Sequence, residues 1–66
     1  MKLIINGEPR EIEASMSVAA LLADLGLAPQ KIAVERNLEI VPRSAYGETM
    51  LADGDKLEIV HFIGGG

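Results

Sequence analysis

Apolar and polar residues alternate along most of this chain, and the spacing turns helical once. Over residues 2–6, Leu3 and Ile5 fall on one face and Ile4 on the other, which predicts a short strand because strand side chains alternate. Asn6 and Gly7 both tolerate positive φ, so they predict a hairpin turn, and Pro9 marks a place where a ladder hydrogen bond is missing. The return strand is expected over residues 10–14, where Arg10, Glu11, Ile12, Glu13 and Ala14 alternate between a solvated and an apolar face. Ser15 or Ser17 can cap a helix in which Val18, Leu21, Leu22 and Leu25 recur at i, i+3, i+4 and i+7. Gly26 terminates it and Pro29 blocks its continuation, giving a helix of about nine residues.

Alternation resumes over residues 31–36, with Ile32 and Val34 sharing a face, and a second short extended piece covers 39–41 before Pro42. Residues 44–47 read as a helical turn or loop. Asp53-Gly54-Asp55 is a turn that precedes the last strand, 56–62, in which Leu57 and Ile59 face the core. The expected order is β-β-α-β-β. Two strand pairs can share one core with a single helix if the helix crosses one sheet face and packs its leucine stripe there. The fold class is therefore α+β: a β-grasp, ubiquitin-like in shape, with a mixed sheet on one main helix. Its most apolar strands, the first and the last, would lie side by side and parallel at the centre.

Composition fits one small core. Of the 66 residues, 20 are Leu, Ile, Val or Phe, well above the level of a disordered chain. A chain this short supports a single domain. The absence of cysteine removes disulfides, thiolate metal ligands and thiol nucleophiles together, and it suits a reducing cytoplasm. No apolar run approaches the length of a membrane span. The net charge is −4, and the six basic residues are scattered singly, so nucleic acid is a poor partner.

Side-chain chemistry is scarce. His61 is the only histidine and falls on the last strand, where it reads as a solvated residue. The serines have no general base within a motif, and no triad can be assembled. The carboxylate pairs Glu11/Glu13 and Asp53/Asp55 read as solvated charge rather than acid–base or metal groups. No catalytic residue and no metal site is expected.

The glycines change this picture. Gly7, Gly26, Gly47 and Gly54 fall at turns or caps, whereas Gly64, Gly65 and Gly66 form the last three residues. Such a tail has no side chains and accepts almost any backbone angle, so it can thread a narrow cleft and present a carboxylate inside another protein. The expected organisation is a domain over residues 1–63 and a glycine tail over 64–66. Once joined to AMP, the carboxylate gains a leaving group that sulfur or an amine can displace. Any sulfur carried by this cysteine-free chain must then sit on Gly66. Val60, Phe62 and Ile63 lead into the tail and are candidate anchors for a partner, with closure of the core as the alternative role for Phe62.

Val34-Glu35-Arg36-Asn37, Ile40-Val41-Pro42-Arg43, Leu51-Ala52-Asp53-Gly54-Asp55, Leu57-Glu58-Ile59-Val60 and the Gly-Gly end strongly resemble the ThiS family, the sulfur carriers of thiamine biosynthesis. The resemblance spans nearly the whole chain, including the Asn6-Gly7-Glu8 hairpin. It departs from the family pattern in a third tail glycine, Gly64, and in Tyr46, where many relatives carry Trp. The resemblance implies a β-grasp protein without catalytic side chains or a permanently bound cofactor. A ThiF-type adenylyltransferase would convert the Gly66 carboxylate into an acyl-adenylate with ATP. A sulfur donor, a cysteine desulfurase or persulfide relay, would give the Gly66 thiocarboxylate. A ThiG-type thiazole synthase would receive Gly65 and Gly66 in its active site and take the sulfur for the thiazole. The alternatives are a MoaD-like small subunit of molybdopterin synthase and a ubiquitin-like modifier joined to other proteins.

Overall fold

The structure is a computed structural model that describes residues 1–62. Five strands, β1 (Lys2–Ile5), β2 (Glu8–Glu11), β3 (Ile32–Arg36), β4 (Glu39–Val41) and β5 (Lys56–His61), surround one helix, α1 (Val18–Asp24). Short 3-10 turns occupy Pro29–Lys31 and Arg43–Ala45. The strands form one sheet in the order β2-β1-β5-β3-β4. β1 and β5 run parallel, and the other neighbours are antiparallel.

This is the expected mixed sheet with the first and last strands adjacent, and the two short strands expected around a tight turn at 31–36 and 39–41 are both present; the expected order β-β-α-β-β, which counts that pair once, is one strand short. Residues 32–36 and 39–41 are separate strands of an antiparallel pair, joined through Asn37 and Leu38, which both take positive φ (52° and 71°). The second strand also begins earlier than the expected 10–14. Asn6 and Gly7 complete the reversal in two residues at φ 51° and 83°, so Glu8 already pairs with Ile5. Pro9 is tolerated because β2 is an edge strand. Ile12 lies just past the strand, where it exchanges backbone hydrogen bonds with Met1.

Ser17, rather than Ser15, caps α1: its Oγ accepts from the Ala20 N–H at 3.1 Å. The helix ends after seven residues, with Gly26 beyond it at φ 74°. Leu25 falls at the C-cap and is partly buried against the core rather than central to it. Val18, Leu21 and Leu22 are buried against Leu3, Ile32, Val34, Leu57 and Ile59 from the sheet. Val41 at the end of β4, with Tyr46 and Leu51 from the long connection between β4 and β5, closes the core. Tyr46 is thus a core residue, and its carbonyl accepts from Ala19 N–H at the start of α1.

Candidate functional site

β5 runs through the middle of the sheet and leads into the glycine tail. The sulfur-carrying and tail positions expected at Gly64, Gly65 and Gly66, and the anchor expected at Ile63, lie outside the described residues. What the fold does position is the strand from which they depart, and it holds that strand at three points.

The first point is Asp55, immediately before β5. It is only 6% exposed, the one buried charged residue among those described. Its Oδ2 accepts from Arg36 Nε at 2.7 Å and from the Ala52 N–H at 2.8 Å, while Oδ1 accepts from Asn37 Nδ2 at 3.1 Å. Asp55 therefore corrects the expectation of solvated charge. A buried carboxylate persists only when its lone pairs are occupied, and here a guanidinium, an amide and a backbone N–H occupy them. Burial pushes the carboxyl upward, but the Ala52 N–H, Arg36 and Asn37 outweigh it and hold Asp55 below the ordinary carboxylate range. Asn37 also accepts from the Lys56 N–H through Oδ1 at 3.0 Å, tying the β3–β4 turn to the start of β5. Asp53 stays exposed, and its Oδ1 accepts from the Lys2 N–H at 2.7 Å.

The second point is Asn6. Its backbone N–H donates to the Leu57 carbonyl, and its side chain then continues the parallel ladder past the end of β1: Oδ1 accepts from the Ile59 N–H at 2.7 Å and Nδ2 donates to the Ile59 carbonyl at 3.1 Å. The third point is the Phe62 N–H, which donates to the Lys31 carbonyl at 3.1 Å. The last described residues of the strand are thereby tied to the core. The pattern of the sequence marks Asn6 and Asp55 only as turn residues, because their partners lie up to 53 positions away.

Around this strand the predicted anchors are open to solvent. Val60 is 57% exposed and Phe62 38%, and Phe62 is not part of the buried core. Ile40 on β4, which the sequence does not single out, is 74% exposed on the same sheet face as Val60. His61 is exposed, as are Glu11 and Glu13. Among the described residues no three of His, Asp and Glu gather into a metal-binding group, and no helix is long and apolar enough to cross a membrane.

Comparison with known proteins extends this picture through the tail. The ThiS family model matches residues 3–66. A thiazole synthase of Paramagnetospirillum magneticum is 65% identical over all 66 residues, and one of Magnetococcus marinus is 52% identical over the same span. The chain covers only 20% of the length of each. The sulfur carrier protein ThiS of Bacillus subtilis is 46% identical over 50 residues, 76% of either chain. A crystal structure of the thiamine biosynthesis protein ThiS from Geobacter metallireducens superposes with a TM-score of 0.87 at 38% identity, covering both chains completely. A five-stranded β-grasp sheet on one helix, a family match that runs through the terminal glycines and a full-length structural counterpart agree: the chain belongs to the ThiS family.

Proposed function

We propose that this chain is a sulfur carrier of thiamine biosynthesis, a co-substrate whose reactive group is the carboxylate of Gly66. The observation that carries this reading is the family match through residue 66, together with relatives named as ThiS sulfur carriers. In the proposed cycle a ThiF-type enzyme joins the carboxylate to AMP from ATP, releasing pyrophosphate. A persulfide sulfur from the donor attacks the acyl carbon, AMP leaves and an acyl disulfide forms. A thiol from the donor or activating enzyme opens that disulfide, leaving the thiocarboxylate on Gly66. The chain has no cysteine, so both sulfur nucleophiles come from partners.

A ThiG-type thiazole synthase is the proposed acceptor, building the thiazole phosphate from deoxyxylulose phosphate and dehydroglycine. Its support is the pair of thiazole synthases in which a stretch matching this whole chain makes up a fifth of the protein. Sharing one polypeptide raises the effective concentration of carrier at synthase. The anchoring of β5 has a role in this reading, since a tail that leaves from a fixed strand loses less freedom when it enters a cleft.

Intact-mass spectrometry tests the proposal. The chain is incubated with a ThiF-type enzyme, ATP and a sulfur donor. A gain equal to one oxygen exchanged for sulfur, localised to Gly66 by fragmentation, is the expected result. An unchanged mass alongside a demonstrably active enzyme overturns it, and adducts on lysines of other proteins would identify a modifier instead.

A further inference from the structure

The chain contains two asparagines, Asn6 and Asn37, and only Asn6 precedes a glycine. An Asn-Gly step carries latent chemistry. The Gly7 backbone nitrogen attacks the Asn6 side-chain carbonyl carbon, its proton leaves with the amide nitrogen as ammonia, and water opens the resulting five-membered imide to aspartate or isoaspartate. Glycine favours this closure because no Cβ crowds the attacking nitrogen. Three places in the structure can be compared. Asn37 is followed by Leu38, whose Cβ crowds that nitrogen, and the Asn37 amide is held by Asp55 and Lys56. At Asp53-Gly54 the group to be attacked is a carboxylate, which resists a nucleophile, and the Gly54 N–H is tied to the Lys2 carbonyl at 2.7 Å. At Asn6-Gly7 both residues are exposed, and among the described residues nothing accepts from the Gly7 N–H.

One restraint opposes the reaction there. Asn6 Oδ1 accepts from the Ile59 N–H at 2.7 Å and Nδ2 donates to the Ile59 carbonyl at 3.1 Å, so the carbon that Gly7 must attack is clamped to β5 through both of its polar atoms. Closure of the imide bonds that carbon to the Gly7 nitrogen and carries Nδ2 away as ammonia. The clamp must open for the reaction to run. We propose that Asn6 is a site of spontaneous deamidation whose rate is set by opening of the Asn6–Ile59 clamp, and whose product keeps that clamp from closing again. A carboxylate has no hydrogen to donate, so an aspartate product sets an oxygen against the Ile59 carbonyl where Nδ2 stood. Isoaspartate lengthens the backbone by one carbon inside a turn that reverses in two residues between Ile5 and Glu8. Either product removes a tie from the part of β5 that β1 does not reach, since β1 pairs with β5 only through Ile4–Lys56 and Ile5–Leu57. A transient opening becomes a lasting one, whatever the tail carries.

The test ages the full chain at mildly alkaline pH across guanidinium chloride concentrations below its unfolding midpoint. Peptide mass mapping follows conversion at position 6, and NMR follows hydrogen exchange of the Ile59 N–H. Both readouts need the same opening, so the two rates are expected to rise together. The fully unfolded chain is expected to convert at least about tenfold faster than the folded one, because two hydrogen bonds no longer hold the amide. Asn37 is expected to stay intact in the folded chain over the same period. The converted fraction, separated by its added negative charge, is expected to exchange the Ile59 N–H about tenfold faster than the parent chain. Asn6→Gly, which suits positive φ and has no side-chain amide, is expected to show the same faster exchange and no modification at position 6. A folded chain whose Asn6 stays intact while the unfolded chain converts completely overturns the proposal as a site. Equal conversion rates in the folded and unfolded chains overturn the gating, as does exchange at Ile59 that rises with denaturant while conversion does not. A converted fraction with unchanged exchange at Ile59 overturns the lasting release.

Discussion

The two faces of the sheet are built from the same strands and have opposite fates. On the helix side Leu57 and Ile59 of β5 and Ile32 and Val34 of β3 are buried, whereas their neighbours Glu58, Val60 and Ala33 are exposed. Alternation makes this possible, since moving one residue along a strand changes the face. The inner face accounts for most of the burial that holds so short a chain together. The outer face keeps aliphatic groups in water and sets two carboxylates against each other, arrangements that do nothing for the fold. Burial and exposure are thus separated by a single residue step, and substitutions on adjacent residues should report on different properties.

The largest effect is expected inside. Leu57→Ala removes a side chain that is almost wholly buried and leaves a cavity, costing about 3–4 kcal/mol. That is a large share of the roughly 3–10 kcal/mol expected for a domain of this length. Urea denaturation would show a lower midpoint, and loss of the cooperative transition at moderate temperature would agree with the same mechanism.

Asp55→Ala comes next, at about 2–3 kcal/mol, because it leaves the Ala52 N–H and the Asn37 amide without their acceptor while the partly exposed Arg36 can rehydrate. It also has a signature in pH. The folded carboxyl titrates below the ordinary value of about 3.9. Its unfolded form therefore takes up a proton first as pH falls. The stabilisation is present in full above the ordinary value and disappears as pH drops through the depressed folded one. Wild-type stability should fall over that acid window, and the variant should show a shallower fall. Equal slopes for the two proteins would mean that Asp55 is not held in its charged form.

These two residues also mark what the sequence makes legible. Leu57 belongs to a period-two pattern; such patterns predicted the strands, the i, i+3, i+4 spacing of Val18, Leu21 and Leu22 predicted the helix face, and together they predicted the parallel central pair and the fold class. Asp55 belongs to no local pattern. Within Asp53-Gly54-Asp55 both acids look like turn residues, and only contacts 18 and 19 positions away, to Asn37 and Arg36, distinguish the buried one. Asn6 is similar, since its side chain reaches a strand 53 positions downstream. At the candidate site, Val60 and Phe62 could be named because they adjoin the tail. Ile40 could not, because strand pairing rather than sequence proximity brings it to the same face. The tail stands out in the sequence through composition, and the role proposed for it rests on what glycine lacks.

A smaller effect, of opposite sign, is expected at the β3–β4 turn. Leu38 is 90% exposed at φ 71°, in a region where a side chain crowds the backbone and glycine does not. Leu38→Gly should therefore stabilise the chain by up to about 1 kcal/mol, with relief of left-handed strain exceeding the added freedom of the unfolded state. A lower thermal midpoint for the variant would show that Leu38 makes a contribution to the fold that its exposure conceals.

The smallest change probes the outer face directly. Glu58→Gln keeps the shape of the side chain and removes one of two charges that face each other across β5 and β3. If the pair disfavours the free sheet, the variant should gain about 0.2–0.5 kcal/mol at low ionic strength. The gain should shrink as salt screens an exposed pair. The conjunction is more informative than either number: a gain in stability that fades with salt would identify the facing Glu58 and Glu35 as a cost that the outer face imposes on folding. Lower stability that is insensitive to salt would instead mean that Glu58 supports the sheet, and the contrast between the two faces would have to be redrawn.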